Sequence, residues 1–206
     1  MNQLTIALAK GRLADKGLEL FKNTDIEIDC DENSRKLVFT DAKEEIRFIF
    51  AKPSDIITYV EKGVADLGIV GKDMILEENR EVYELMDLGF GKCRFAIAGF
   101  ENQNINKKND VLRIATNYPN YVKRVFDAKS QRVEIIKLNG SIELAPVIGL
   151  SDLIVDIVET GETLKKNGLV VLEELDSISA RLVANKASYR LNFDTIKKIE
   201  NKLGGN

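Results

Sequence analysis

Ile154-Val155-Asp156-Ile157-Val158-Glu159-Thr160-Gly161-Glu162-Thr163-Leu164 is the stretch on which the reading of this chain turns. An apolar run of strand character ends in an acidic pair, Asp156 and Glu159, that brackets two apolar residues. A Thr-Gly-x-Thr turn then opens a helical segment, so a complete strand–turn–helix unit is visible. Such a turn aims backbone N–H groups and two hydroxyls at one point, and the helix dipole favours an anion there. Asp156 and Glu159 lie beside it, where carboxylates suit ribose hydroxyls or a metal-bound ligand. The same residues also suit an ordinary N-cap at Thr160 with solvated acids, and on this stretch alone both readings stand.

Outward from this unit, short apolar runs alternate with helical patterns. Strands are expected at 4–9, 36–40, 45–51, 66–71, 94–98, 112–116, 133–138, 154–158, 169–172 and 181–184. Helices fit near 13–21, from Pro53, from Lys72, at 119–126 and at 162–166, with a charged helix closing the chain on Ile196, Ile199 and Leu203. The alternation predicts an α/β fold with largely parallel sheets. About ten strands are too many for one small open sheet at this length, so two lobes are expected. Lobe I takes 1–91 plus 173–206 and lobe II takes 92–172, with hinge freedom from Gly89-Phe90-Gly91.

The 206 residues carry 30 Lys+Arg against 33 Asp+Glu, a formal net charge of −3. That balance excludes a general nucleic-acid binder, whose footprint is a strong basic excess. Histidine is absent altogether, so every Ser-His-Asp, Cys-His or His-ligated metal mechanism is excluded unless a partner donates the imidazole. Cys30 and Cys93 stand far apart and read as reduced residues, not a disulfide framework. The start lacks the pattern of a signal peptide, and no apolar run approaches the ~18 residues of a membrane span. A soluble, cytoplasmic protein is expected.

Other candidate residues follow strands. Lys10-Gly11-Arg12 comes directly after the first: glycine permits close backbone approach to a ligand, and two cations flank it. A solvated turn fits equally. Arg35 precedes a strand and suits either a ligand or the surface. Asp66-Leu67-Gly68-Ile69-Val70-Gly71-Lys72-Asp73 is a strand, a glycine turn and a charged helix start, which efficient strand–helix packing also explains.

Taken together, these segments resemble the short form of ATP phosphoribosyltransferase, the first enzyme of histidine biosynthesis. The family's signature falls on Glu143, Gly149, Ser151, Ile154, Asp156, Thr160, Gly161, Thr163 and Leu164. Further family-like segments are Ala9–Arg12, Ser34–Leu37, Ala65–Asp73 and Lys137–Pro146. The resemblance implies a two-lobed fold similar to type II periplasmic binding proteins, with the active site in the inter-lobe cleft. It implies a glycosyltransferase joining adenine N1 of ATP to phosphoribosyl pyrophosphate, with substrate-bound Mg²⁺, to give N1-(5-phosphoribosyl)-ATP and pyrophosphate. The sugar-phosphate loop maps onto Asp156, Glu159, Thr160, Gly161, Glu162 and Thr163. Two arginines at the leaving pyrophosphate map onto Arg12 and Arg35. Lys10, Gly11, Gly71, Lys72, Asp73 and Glu143 are implied as substrate-binding. One departure is Lys52 before Pro53, where many relatives carry arginine: the charge is kept and the bidentate fork is lost. Ending without room for a third lobe, the chain is expected to be a homodimer whose histidine sensing sits on a separate subunit resembling a histidyl-tRNA synthetase. The alternative of another class is a small-ligand binding module of the same fold, a solute-binding or regulator effector domain. A weaker rival is a prephenate dehydratase. Neither accounts for the complete Glu143–Leu164 signature.

Overall fold

Every residue of Leu4–Ala9 (β1) is buried, the pattern of a strand covered on both faces. The computed structural model in which this is seen describes residues 3–22, 26, 36–41, 43, 45–105 and 110–204. After β1 come α1 (Arg12–Lys22), β2 (Val38–Thr40), β3 (Ile46–Ala51), α2 (Pro53–Glu61), β4 (Leu67–Gly71), α3 (Lys72–Glu78) and β5 (Val82–Asp87). The turn from β2 to β3 has no Asn-Gly signal. It is held instead by Asp41 Oδ1, which accepts from the N–H groups of Glu45 and Ile46 at 2.8 and 2.9 Å. Pro53 opens α2, whose Ile56 and Val60 lie close over β4. A β-carbon on Gly68 would stand 2.8 and 2.9 Å from their side chains, so only glycine permits that approach.

The chain continues through β6 (Cys93–Gly99), β7 (Leu112–Thr116), α4 (Pro119–Ala128), β8 (Val133–Lys137), α5 (Leu144–Val147), β9 (Leu153–Val158), α6 (Glu162–Lys166) and β10 (Val170–Ile178). It ends in β11 (Ala180–Asn185), α7 (Lys186–Leu191) and α8 (Phe193–Gly204). No helix among the described residues is long and apolar enough to cross a membrane.

Two compact units result: Met1–Gly91 with Ser179–Asn206, and Lys92–Ile178. The return to the first unit falls after Ile178, later than the expected 173, because β10 extends over nine residues and pairs with β6 of the second unit as far as Ile178. The first unit's sheet has the order β2-β3-β1-β4-β11-β5 and the second's β10-β6-β9-β7-β8. The expectation of largely parallel sheets is corrected. β1 pairs parallel with β3 and β4, and β7 with β8 and β9. The remaining pairings among described residues are antiparallel: β2 and β3 are consecutive strands joined by a short turn, and β11 and β6 enter against their neighbours.

The first core packs Phe21 edge-on to Phe48, centroids 5.3 Å apart, and is closed by Ile196, Ile199 and Leu203 of α8. In the second unit Phe95 stacks on Tyr121 at 3.9 Å and meets Tyr118 edge-on at 4.8 Å.

Candidate active site

The two sheets share one piece of topology. β1 connects outward through α1 to β2, the strand beyond its neighbour β3, while β4, its other neighbour, connects away through α3 towards β5. β7 and β9 stand in the same relation, with β8 and β10 as the outward strands. Each sheet therefore has a switch point where two neighbouring parallel strands send their following loops in opposite directions. Ligands of open α/β sheets bind at the carboxyl ends of strands at such points.

At the first unit's switch point stand Lys10, Gly11 and Arg12 after β1 and Gly71, Lys72 and Asp73 after β4. Gly11 has φ +94°, a left-handed conformation that β-carbon-bearing residues rarely adopt, and its carbonyl accepts from Ala14 N–H at 2.8 Å to start α1. Lys10 and Arg12 are exposed on either side of it. Lys10 N–H donates to Ala51 O at 2.8 Å, bringing Lys52 at the end of β3 alongside. Three cationic residues thus share one sheet edge. Lys72 is differently engaged: its ammonium pairs with Glu84 on β5 at 2.5 Å, and Glu84 also faces Arg181 at 3.5 Å. Arg35 lies outside the described residues.

At the second unit's switch point, Gly161 (φ +79°) turns the chain between β9 and α6. Thr160 Oγ1 accepts from Glu162 N–H at 3.4 Å, and the Gly161 carbonyl accepts from Lys165 N–H at 3.0 Å. Glu159, Thr160, Glu162 and Thr163 are exposed. Asp156, inside β9, is half-buried, and its Oδ1 accepts from Ile157 N–H at 2.8 Å. Glu143, half-buried, precedes α5 on the crossover from β8 to β9, with no side-chain bond to the helix N–H groups.

The residues singled out in sequence now separate by task. Gly149 (φ +74°) and Gly161 are required by the backbone. Ser151, Ile154 and Leu164 are buried and pack. Arg113 holds the approach to β9 by pairing with Asp152 at 3.0 Å and donating to Gly149 O at 3.0 Å. That pairing raises the Arg113 pKa. Residues not singled out include Asn117 and Tyr118, which follow β7 at the switch point. The Pro119 helix start beside them was the available signal. Arg94 was missed as well: its Nη1 donates to Glu159 O at 3.3 Å across 65 residues of sequence.

Among the described residues, no group of three or more His, Cys, Asp or Glu forms a metal cage. Mg²⁺ that arrives on a phosphorylated ligand would ask a protein for only one or two carboxylates, and Asp156 and Glu159 are the ones beside this loop.

The fold defines a class first. The periplasmic aliphatic sulphonate binding protein SsuA of Escherichia coli superposes with TM-score 0.61 at 14% identity, covering 98% of this chain and 68% of that one, a likeness of fold alone. This is the two-unit α/β architecture of periplasmic binding proteins. An ATP phosphoribosyltransferase of Clostridioides difficile (strain 630) is 55% identical over 199 residues, 97% of this chain and 96% of that protein. A chain of the ATP phosphoribosyl transferase (HisG:HisZ) complex from Thermotoga maritima superposes with TM-score 0.87 at 35% identity, covering 98% of each. The family HisG: ATP phosphoribosyltransferase matches residues 52–205. The chain belongs to the HisG family of ATP phosphoribosyltransferases, as a catalytic chain of the short form acting at the first step of histidine biosynthesis.

Proposed function

We propose that the Glu159–Thr163 loop takes the 5′-phosphate and ribose of phosphoribosyl pyrophosphate, and that Arg12, with Arg35, neutralises the departing pyrophosphate. The observation that carries this reading is the position of both loops at the switch points of their sheets, one presenting amides and hydroxyls and the other cations.

Adenine N1 carries a free lone pair at neutral pH, so its attack on the anomeric carbon needs no histidine base. The barrier lies in the leaving group and in positive charge growing on the ribose ring. A cation held where the pyrophosphate departs gains more from the transition state than from the ground state, and this difference accelerates the step. Lys10 adds to the positive edge on which Arg12 stands. Asp156 and Glu159 suit the ribose hydroxyls, or the Mg²⁺ that comes with the pyrophosphate; when bound, that ion adds charge neutralisation at the leaving oxygens. No covalent intermediate is required.

By analogy with the Thermotoga maritima HisG:HisZ complex, the chain works with a regulatory partner similar to HisZ; the family resemblance adds that the chain itself is a homodimer and that histidine sensing resides on the partner. The test of the loop is calorimetry on Thr163→Val and Gly161→Val with phosphoribosyl pyrophosphate and with ATP. Weaker binding of the sugar donor, with ATP binding kept, is expected. Loss of ATP affinity first would assign the loop to the other substrate.

A further inference from the structure

Arg94 is the second residue of β6, a central strand of its sheet, with Val158 of β9 opposite it on one side and Ser177 of β10 on the other. Its Nε pairs with Glu174 Oε1 at 2.8 Å, and its Nη1 donates to the Glu159 carbonyl at 3.3 Å. One side chain therefore joins β10 to the loop that leaves β9.

The neighbouring residue serves the other loop of this switch point. Phe95 points to the opposite face of the sheet and packs on Tyr118 and Tyr121, at the start of α4. The Tyr121 hydroxyl donates to Asp176 Oδ2 at 2.6 Å. Glu174 and Asp176 both lie on the stretch of β10 where the register with β6 shifts, between Glu174 and Ser177. Such irregularities re-aim side chains, and they concentrate beside functional sites. A single irregular stretch thus anchors the loops after both β7 and β9.

The Arg94–Glu174 pair adds little Coulomb energy, since Glu174 is 62% exposed. What it supplies is direction. The Glu174 carboxylate draws the guanidinium towards β10 as an ion partner, and the planar group carries its Nη1 donor to the Glu159 carbonyl. The peptide between Glu159 and Thr160 is planar and trans, so its C=O and N–H point oppositely. Holding the Glu159 oxygen aims the Thr160 N–H.

We infer that Arg94 is a positioning residue for the reaction: by holding the Glu159 carbonyl it fixes the Thr160 amide that opens the sugar-phosphate loop. This rests on the reading of that loop given above. A lysine ammonium, a single point charge, cannot stand beside Glu174 and also donate to the Glu159 carbonyl from the far end of a planar group.

The test is steady-state kinetics of the full chain in its active assembly, with each substrate varied. Arg94→Lys is expected to raise KM for phosphoribosyl pyrophosphate about tenfold, with KM for ATP and the melting temperature unchanged. Glu174→Gln, at an exposed position, should move the same constant about threefold. It decides the matter if Arg94→Lys does not fold. An unchanged sugar-donor KM, or an equal rise for both substrates, overturns the proposal. Thr163→Val separates the two layers. If it weakens the sugar donor while Arg94→Lys and Glu174→Gln do not, the positioning role alone falls. If Thr163→Val leaves the sugar donor unaffected, the loop assignment falls and takes the positioning role with it.

Discussion

The carboxylate of Asp73 fills the space that a β-carbon on Gly71 would need. The backbone does not demand glycine there, since Gly71 has φ −69° and ψ 146°, which any residue accepts. The demand comes from a side chain two residues on, folded back over the end of β4 at the first unit's switch point. Gly71→Ala should cost about 1–2 kcal/mol through this overlap. In an Asp73→Ala background the cost should vanish, a coupling that denaturant unfolding of the four-member cycle measures. Additive effects would show that Asp73 is not what excludes the methyl group.

Arg12 begins α1 from an exposed position, so its truncation should leave the fold intact. Arg12→Ala is expected to lower kcat about a hundredfold, the usual loss for one preorganised charge donor. Arg35→Ala should behave alike. Turnover near normal in either variant would remove that residue from the mechanism.

Gly161 and Gly68 offer a contrast. A β-carbon at Gly161 meets only Val158, at 3.8 Å, so Gly161→Ala should cost about 1 kcal/mol of left-handed backbone strain while weakening the sugar donor. Gly68→Ala drives a methyl group into Val60 and Ile56, and should cost about 2–3 kcal/mol with substrate constants kept in the molecules that remain folded. Thermal melts paired with kinetics distinguish the two patterns.

Burial, and next the hydrogen bond to Asp176, push the Tyr121 phenol well above its ordinary value of 10.0. The native state thus keeps a proton that the unfolded chain gives up. The stabilisation is complete below about pH 10 and declines as pH rises beyond it. Tyr121→Phe keeps the ring stack on Phe95 and should lose about 1–2 kcal/mol near pH 8. The gap to the parent should narrow by pH 11 in urea unfolding. A gap that stays constant would show that the phenol does not ionise differently on folding.

Histidine titrated into the isolated chain should give no saturable heat and no inhibition, because sensing is assigned to the partner. Binding without any partner present would place the control on this chain.

Much of this was legible from local order. The alternation of apolar runs with helical stripes located the strands, and the lack of histidine narrowed the chemistry before any contact was known. The Thr160–Thr163 turn was legible because its residues are consecutive and their backbone needs are local. β5 and α7 went unread: β5 alternates only half-buried positions, and α7 buries no residue fully, so neither shows a clear apolar period. Strand order was beyond reach for a different reason. An apolar run is the same run whichever neighbour it pairs with, and the insertion of β11 between β4 and β5 is settled by hydrogen bonds between residues about a hundred positions apart. The same holds for the site. Lys72 is implied as substrate-binding in sequence, and only β5 brings Glu84 to it; Arg94 is one residue of an expected strand, and only the place of β6 between β9 and β10 gives it partners. Sequence determined which groups the protein has and what each loop can do. Tertiary pairing alone decided which cations are already engaged and which side chain holds the loop in place, because those contacts depend on register and not on composition.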